Sequence, residues 1–412
     1  MKRLVRACIG VATLLAAPYA CSSADPGADG LPGGGRDSGR SFDGAGDASA
    51  DADPGDGAFD GQDAEPGAPA VRFIGRFDPS PADGPKVGYP GASIIARFTG
   101  TGVTATFADA MIDTDYGLSR WQVSIDGAPT SVLSIKRTKT PYALASGLPA
   151  GTHTVELVKL TEGMAGTSQF MGFEFEGGAL LAPPPAAARH IEFVGDSASN
   201  GYGIEGANAS CPYSTATQNE LKTFPALTAA ALGADHQNVS SSGRGLYWNL
   251  YRADPDVFSV LYPRTLPFVQ GSTWSFADYT PDLVWLMLGG NDYDQPNAGD
   301  PAPPFNPFQA KYDQMVVLIR SKHPTAHIVC AVAPSLNDDY PVGYNAYTNV
   351  KAAATNVVNK YKGQGDTKLS VFEFTRSTSN DTTACDYHPN AAKHQAMATE
   401  ATAHIRAVTG WP

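Results

Sequence analysis

Four short stretches contain the residue types that serine-based nucleophilic catalysis uses. They are GDSASNGYG at 195–203, SSSGRG at 240–245, LGGNDYD at 288–294 and ACDYHPN at 384–390. A serine hydroxyl becomes a nucleophile when a neighbouring base, most often histidine, takes its proton. Ser197 lies in a glycine-rich turn that lets a substrate approach closely. Ser197 is therefore a candidate nucleophile and His388 a candidate base, although a serine in such a turn also serves as a helix cap or turn residue.

The same stretches contain candidate donors for the negative charge that develops when a serine attacks a carbonyl. Gly243 leaves its main-chain N–H unobstructed, and Asn291 carries a side-chain amide. With the N–H of Ser197, these groups are candidates for an oxyanion hole, although glycines after strands and the GND sequence are also typical of ordinary turns. The sequence has neither an HExxH zinc signature nor a GxSxG elbow, which weakens metalloprotease and ordinary α/β-hydrolase interpretations. No metal and no cofactor are expected.

Two patterns of elements predict how these residues are positioned. Between 71 and 178, short alternating stretches are separated by turn residues, which predicts an antiparallel β-sandwich. The segment APPPAAAR at 182–189 marks a boundary, because three successive prolines continue neither a sheet nor a helix. Beyond it, apolar strand-length runs alternate with helix-length segments, which predicts a parallel sheet with helices on both faces. Ligands bind such sheets outside the carboxyl ends of the strands.

The N-terminus has the features of an export signal. Three basic residues precede an apolar run at 7–17, and the small Ala20 precedes Cys21. We predict a signal peptide over 1–20 and lipidation of Cys21, with simple secretion as the alternative. Residues 21–70 hold eleven acidic residues against two arginines and almost no apolar ones. This composition predicts a disordered acidic linker.

Charge narrows the range of partners. The chain of 412 residues has a formal net charge of -12 at pH 7. Much of it lies in the linker, since residues 71–412 hold thirty acidic against twenty-four basic residues and show no basic stripe. A nucleic-acid partner is therefore not expected. We expect a monomer whose contact with a membrane, if any, is through the lipid anchor.

The five cysteines predict one disulfide. Cys330 lies in the apolar run HIVCAVAP and is predicted to be a buried free thiol. Cys8 is removed with the signal, and Cys21 is assigned to the anchor. Cys211 and Cys385 remain as a candidate pair in an oxidising compartment.

The four catalytic stretches, in this order, resemble the SGNH (GDSL-type) hydrolase superfamily. The preceding sandwich, with GYPGASIIARFTGT and GLPAGTHTVELVK, makes the chain similar to carbohydrate esterase family 2, whose members are two-domain and acetylxylan esterase-like. The resemblance covers nearly all of 71–412. It implies a jelly-roll-like antiparallel β-sandwich over 71–182 and an α/β/α SGNH hydrolase domain over 188–412.

The resemblance also implies a function. A serine carboxylic-ester hydrolase of this kind removes acetyl groups from plant-type polysaccharides such as xylan or mannan, or from 6-O-acetyl hexoses, through an acyl-enzyme. Ser197 matches the nucleophile and His388 the base, while Gly243 and Asn291 match the oxyanion donors. One alternative is a carbohydrate-binding surface lipoprotein with a vestigial esterase domain. Another is an SGNH esterase that acts on lipid or thioester substrates.

Aromatic residues near the catalytic stretches are candidates for contact with a sugar substrate. The rings of Trp248 and Tyr293 are the first candidates for stacking on a sugar. The protein is expected to be bacterial and exported, either as a cell-surface or outer-membrane lipoprotein or in secreted form.

The chain departs from the superfamily beside His388. Members commonly carry an aspartate three residues before the histidine, and here Cys385 occupies that position. Asp386 lies two residues before His388, and in an extended segment residues i and i+2 share a face. Alternatively, a main-chain carbonyl accepts from the second ring nitrogen and fixes the same tautomer. Both possibilities remain open at this level.

Overall fold

The computed structural model describes residues 68–412 with the exception of 69, 111–115, 296 and 298. The predicted signal peptide over 1–20 and the predicted lipidation of Cys21 lie outside these residues, as does the predicted linker apart from positions 68 and 70. In the described ranges, every helix is too short or too polar to cross a membrane.

The N-terminal part consists of two antiparallel sheets. Its strands are β1 (Arg72–Ile74), β2 (Phe77–Asp78), β3 (Lys86–Val87), β4 (Ser93–Gly100), β5 (Gly102–Ala110), β6 (Arg120–Ile125), β7 (Ala128–Ser134), β8 (Thr140–Ala145), β9 (Gly151–Lys159), β10 (Thr167–Glu176) and β11 (Leu180–Leu181). One sheet has the order β1-β4-β9-β6-β7, with β11 beside β4, and the other has the order β2-β3-β10-β5-β8.

Alternate residues of the two sheets form one shared core. Ile94 and Phe98 of β4 belong to the same buried cluster as Val103 and Phe107 of β5, which lies in the other sheet. Side chains two residues apart share a face of a strand, so this alternation turns one face of each sheet inward. The predicted antiparallel β-sandwich is confirmed.

The C-terminal part contains a five-stranded parallel sheet. Its strands are β12 (His190–Gly195), β13 (Asp235–Ser240), β14 (Leu283–Met287), β15 (His327–Val332) and β16 (Leu369–Glu373), in the order β13-β12-β14-β15-β16. The helices are α1 (Ser197–Asn200), α2 (Phe224–Leu232), α3 (Phe258–Leu261), α4 (Phe305–Lys322), α5 (Ala346–Gly363) and α6 (Ala391–Thr409).

Helices cover both faces of this sheet. In β14, which is buried along its whole length, Val284 and Leu286 belong to the cluster that includes α4 and α5. Leu283, Trp285 and Met287 belong to the cluster that includes α2 and α6. A strand buried on both faces has a continuous apolar sequence rather than an alternating one, and the predicted α/β/α domain is confirmed.

A buried ion pair joins the sandwich to the parallel sheet. Arg76, which follows β1, lies 3.0 Å from Glu192 of β12, and both side chains are fully buried. The rings of Tyr262, Trp274 and Phe276 surround the guanidinium group. Because removing one partner would leave an uncompensated buried charge, a substitution of Arg76 or Glu192 alone is expected to be strongly destabilising.

Candidate active site

The strand order brings three of the predicted site residues to one edge of the sheet. β12 lies between β13 and β14, so the loops after these strands are neighbours. Ser197 follows β12, Gly243 follows β13 and Asn291 follows β14. Ligands bind at such a point because the strand order reverses there and opens a crevice.

Ser197 begins the one-turn helix α1. Asp196 caps this helix, because its Oδ1 accepts a hydrogen bond from the main-chain N–H of Ala198 at 3.0 Å. The cap fixes the turn that carries the Ser197 hydroxyl. Burial raises the pKa of Asp196 to about 7.

His388 contacts the Ser197 hydroxyl directly. Its Nε2 lies 2.8 Å from Ser197 Oγ, and its Nδ1 lies 3.1 Å from the carbonyl oxygens of both Cys385 and Asp386. A carbonyl oxygen only accepts hydrogen bonds, so Nδ1 carries the ring proton. Nε2 is then free to accept from the Ser197 hydroxyl. Burial lowers the pKa of His388, which keeps the ring neutral and able to act as a base.

The Asp386 carboxylate lies on a different group. Its Oδ2 accepts a hydrogen bond from the Tyr202 hydroxyl at 2.8 Å. The predicted contact of this carboxylate with His388 requires an extended segment, and the segment is not extended. Asp386 and Tyr387 have φ angles of 52° and 60° and lie in a 3-10 turn, Cys385–Tyr387. The turn directs the Asp386 carbonyl, rather than its carboxylate, to the ring.

The loop that carries His388 is linked covalently to the loop that follows Ser197. A disulfide joins Cys211 to Cys385 across 174 positions of sequence. The main-chain N–H of Asp386 donates to the Cys211 carbonyl at 3.3 Å, and that of Tyr387 donates to the Ala209 carbonyl at 3.2 Å. Gly206 permits this close approach, since a Cβ there would lie 2.3 Å from Cys385 Sγ. The carbonyls that orient His388 are therefore held by the chain segment near Ser197.

Cys330 is buried and free, as predicted. Asn390 caps α6, with its side chain accepting from the N–H of Lys393. Pro389 therefore precedes the helix.

The predicted oxyanion donors line one cavity of about 640 Å³ together with Ser197 and His388. Gly243 has a φ angle of 74°, a conformation that glycine adopts without strain. Among the described residues, no acceptor pairs with the main-chain N–H of Ser197 or of Gly243. Both N–H groups are therefore available to a ligand.

The Asn291 amide is engaged within the protein. Its Nδ2 donates to Asp196 Oδ2 at 3.1 Å and to the Arg244 carbonyl at 3.0 Å. An amide nitrogen has two hydrogens, and both have acceptors here. Asn291 therefore contributes to an oxyanion only when one hydrogen is shared with the substrate or turns towards it.

Asp292 is a site residue that the sequence interpretation missed. Its carboxylate accepts hydrogen bonds from the main-chain N–H groups of Leu246, Tyr247 and Trp248 at 2.9, 2.6 and 2.9 Å. Burial raises the pKa of Asp292 to about 6. These contacts hold the loop that follows Gly243. The available signal was an aspartate directly after Asn291, which by itself is also typical of an ordinary Asx-turn.

Of the two predicted sugar-stacking residues, only Tyr293 lines the cavity among the described residues. Tyr293 lines the cavity, but it is only 1% exposed and packs edge-on against Phe308. Trp248 is not among the described residues that line the cavity, and the Arg252 guanidinium lies 4.2 Å from its ring centroid.

Three other tyrosines present exposed rings at the cavity. Tyr251, Tyr340 and Tyr387 are 71%, 67% and 69% exposed, and all three line it. Tyr387 lies within the stretch ACDYHPN and is one of the aromatic residues that its sequence position makes a candidate for sugar stacking, whereas Tyr251 and Tyr340 lie outside the four catalytic stretches and could not be singled out from the sequence.

The cavity is acidic. Asp196, Asp294 and Asp386 line it, and no lysine or arginine of the described residues does. Within the same described ranges, no three histidine, cysteine, aspartate or glutamate side chains are grouped in a way that could hold a metal ion.

Comparisons with known proteins agree with this architecture. Residues 73–185 match the family described as carbohydrate esterase 2 N-terminal, and residues 193–396 match the GDSL-like lipase/acylhydrolase family. The solved structure of a family two carbohydrate esterase from Clostridium thermocellum, in complex with cellohexaose, is 33% identical with a TM-score of 0.76. The match covers 83% of this chain and 100% of that one.

Two characterised relatives are also similar in sequence. Cellulase/esterase CelE of Acetivibrio thermocellus is 33% identical over 354 residues, which are 86% of this chain and 41% of that protein. The chain thus spans less than half of that relative. An acetylxylan esterase / glucomannan deacetylase of Cellvibrio japonicus is 27% identical over 83% of this chain and 90% of its own length.

The sandwich, the parallel sheet and the serine–histidine pair thus occur together, as the resemblance implied. Since the match to the Clostridium thermocellum structure spans all of that chain at 33% identity, the protein belongs to carbohydrate esterase family 2.

Proposed function

We propose that the protein is a serine carboxylic-ester hydrolase that removes O-acetyl groups from a carbohydrate through an acyl-enzyme. The observation that carries the proposal is the 2.8 Å contact between His388 Nε2 and Ser197 Oγ, in a cavity lined by the oxyanion donors. This geometry lets a neutral histidine take the serine proton as the hydroxyl attacks a carbonyl.

In the first half-reaction, Ser197 Oγ attacks the acetyl carbonyl carbon, and His388 Nε2 takes the hydroxyl proton. The carbonyl oxygen becomes an oxyanion that the N–H groups of Ser197 and Gly243 stabilise, with the Asn291 amide as a third donor. His388 then returns the proton to the departing sugar oxygen. The products of this step are a free sugar hydroxyl and acetyl-Ser197.

In the second half-reaction, His388 takes a proton from water, and the resulting oxygen attacks acetyl-Ser197. The tetrahedral intermediate collapses, and His388 donates the proton to Ser197 Oγ as acetic acid leaves. During both steps the imidazolium is stabilised by the carbonyls of Cys385 and Asp386, which accept from Nδ1. Carbonyl dipoles offer less stabilisation than a carboxylate, but they fix the same tautomer.

The lining of the cavity supports a carbohydrate substrate. Exposed rings at Tyr251, Tyr340 and Tyr387 can pack against sugar faces, while a long acyl chain would need a long apolar groove. Relatives named as acetylxylan esterase / glucomannan deacetylase and a family structure with bound cellohexaose support the same class. We therefore favour acetylated xylan or mannan, or 6-O-acetyl hexoses, over lipid and thioester substrates.

We also propose that the protein is exported, as a lipoprotein anchored through Cys21 or in secreted form, and that it is a monomer. The basic and apolar residues of the first twenty positions, followed by a cysteine, support this location. Mass spectrometry of the mature N-terminus distinguishes a lipidated Cys21 from an unmodified one. Detection of the intact residues 1–20 in the mature protein would contradict export.

The test of the function is acetate release by the purified full-length protein from p-nitrophenyl acetate, acetylated xylan and acetylated glucomannan. We expect turnover, and we expect Ser197→Ala to lose at least about a thousandfold, as serine triad enzymes do. Ser80→Ala, on the exposed surface of the sandwich, serves as the control. Equal rates in the wild type and Ser197→Ala would overturn the proposal, and glycan binding without turnover would favour a vestigial esterase domain.

A further inference from the structure

A carboxylate from the sandwich reaches the loop that carries an oxyanion donor. Glu162 lies in the turn between β9 and β10 and is fully buried. Its Oε2 accepts a hydrogen bond from the main-chain N–H of Ser242 at 2.8 Å, and its Oε1 accepts from the Ser242 hydroxyl. Ser242 directly precedes Gly243, so both hydrogen bonds act on the residue next to the proposed donor.

The same contacts continue to the helix of the nucleophile. Ser242 Oγ accepts from Asn200 Nδ2 at 3.0 Å, and Gln218 Nε2 donates to the Asn200 carbonyl at 3.1 Å. Gln218 Oε1 in turn accepts from the main-chain N–H of Glu162 at 3.1 Å. Asn200 ends the one-turn helix that Ser197 begins. The hydrogen bonds therefore form a closed ring through Glu162, Ser242, Asn200 and Gln218.

A buried lysine of the sandwich fixes the other side of this turn. Lys159 Nζ donates to the carbonyls of Thr161 at 2.8 Å and Glu162 at 3.4 Å. Burial raises the pKa of Glu162 and lowers the pKa of Lys159 to about 8. Placing a carboxylate and an ammonium group in a protein interior is costly unless both are hydrogen-bonded. Here both groups are hydrogen-bonded, and the Glu162 carboxylate makes its hydrogen bonds with the hydrolase domain.

We infer that Glu162 is a positioning residue of the reaction: the sandwich supplies the carboxylate that holds the Gly243 N–H in place relative to Ser197. The inference rests on the proposed function, since it assumes a tetrahedral centre on Ser197. It assigns the sandwich a part in completing the active site. Glu162 itself acts through Ser242 and does not touch the substrate.

The positioning of the Gly243 N–H by Glu162 is expected to stabilise the transition state rather than the bound substrate. Removing a whole oxyanion donor costs on the order of a hundredfold or more in rate, so displacing one is expected to cost less. An interaction that is made only in the transition state lowers kcat and kcat/KM by the same factor. We therefore expect Glu162→Gln to lower both about 10-fold to 100-fold, since Gln offers a single acceptor oxygen, with KM within about twofold of the wild type.

The experiment compares full-length wild type, Glu162→Gln and Ser242→Ala with the control Glu174→Gln, which makes the same chemical change on an exposed residue of β10. The measurements are kcat and KM for p-nitrophenyl acetate, the melting temperature and the rate at which a p-nitrophenyl phosphonate modifies Ser197. The phosphonate forms a tetrahedral centre on Ser197 without turnover. It therefore compares the variants even if the wild type hydrolyses no acetyl ester, an outcome that would refute the proposed function alone.

We expect Glu162→Gln to slow phosphonylation by the same factor as kcat, and Ser242→Ala, which loses one of the two hydrogen bonds to the carboxylate, to show a smaller loss in the same direction. A Glu162→Gln protein that melts at a lower temperature but keeps wild-type kcat and phosphonylation would overturn the inference. If Glu162→Gln does not fold, Ser242→Ala decides: unchanged kcat and phosphonylation in that variant would refute the positioning role.

Discussion

The orientation of His388 leads to a quantitative prediction for Asp386→Asn. In the structure, the Asp386 carboxylate accepts from the Tyr202 hydroxyl, while main-chain carbonyls accept from His388 Nδ1. Substitution by asparagine leaves both carbonyls in place, and the asparagine Oδ1 still accepts from Tyr202. Asparagine also tolerates the φ angle of 52° at this position better than most residues.

The size of the loss in activity distinguishes orientation of His388 by a carboxylate from orientation by main-chain carbonyls. Loss of the orienting aspartate in a serine triad lowers kcat by about four orders of magnitude, because the histidine takes the wrong tautomer. A hydrogen bond that is weakened but still made is worth about 1 kcal/mol or less, which is about fivefold in rate. The charge of Asp386 also stabilises the imidazolium through space. Together these effects give an expected loss of about 5-fold to 30-fold in kcat/KM.

The assay is steady-state hydrolysis of p-nitrophenyl acetate by the wild type, Asp386→Asn, Tyr202→Phe and the double variant. Asp83→Asn, at an exposed position of the sandwich, controls for the loss of one negative charge, and Ser197→Ala sets the inactive baseline. If Asp386 acts through Tyr202, the two single substitutions are not additive. A loss above about a thousandfold in Asp386→Asn, with an unchanged melting temperature, would refute this reasoning and assign the carboxylate to His388.

Three further predictions concern the disulfide, the base and the charge of the cavity. Reduction of the disulfide is expected to lower the melting temperature and kcat together. The cross-link stabilises the fold by roughly 5 kcal/mol in the chain-entropy model, and it holds the Cys385 carbonyl beside His388. The double variant Cys211→Ser/Cys385→Ser controls for the reductant, and an unchanged melting temperature in that variant contradicts the prediction. Burial lowers the pKa of His388 below its ordinary value of 6.5, so the ring stays neutral in mild acid. The value of kcat/KM should therefore fall only below pH 6.5. If the midpoint of this fall lies above pH 6.5, the result argues against His388 as the base. The aspartates of the cavity repel anionic chains, so acetylated glucomannan should be hydrolysed faster than acetylated pectin of equal acetyl content. Salt should reduce the difference between the two rates. Equal rates at low salt would contradict a preference for the uncharged polysaccharide.

The fold could be predicted from the sequence because its signals are local and regular. Alternation with period two gave the sandwich, and apolar runs such as that of β14 gave a sheet buried on both faces. The order of the catalytic stretches also predicted which residues meet, since each stretch follows a strand. Ser197 and His388, 191 positions apart, are in contact at 2.8 Å.

The orientation of side chains could not be predicted in the same way. An extended segment would direct Asp386 to His388, but two successive positive φ angles direct its carboxylate to Tyr202 instead. Non-glycine residues rarely adopt such angles, so the sequence carried no signal for them. Trp248 and Tyr293 lie in or near the catalytic stretches, but the positions of their rings depend on contacts with Arg252 and Phe308.

The sequence by itself determined the two domains, the candidate serine and histidine and the cysteines available for a disulfide, because each follows from residue type and from position along a strand or turn. Only the tertiary structure decided which groups orient the His388 ring and which carboxylates hold the loop that carries Gly243. Those contacts join residues far apart in sequence, such as Glu162 and Ser242, and their geometry depends on how the sandwich packs against the parallel sheet.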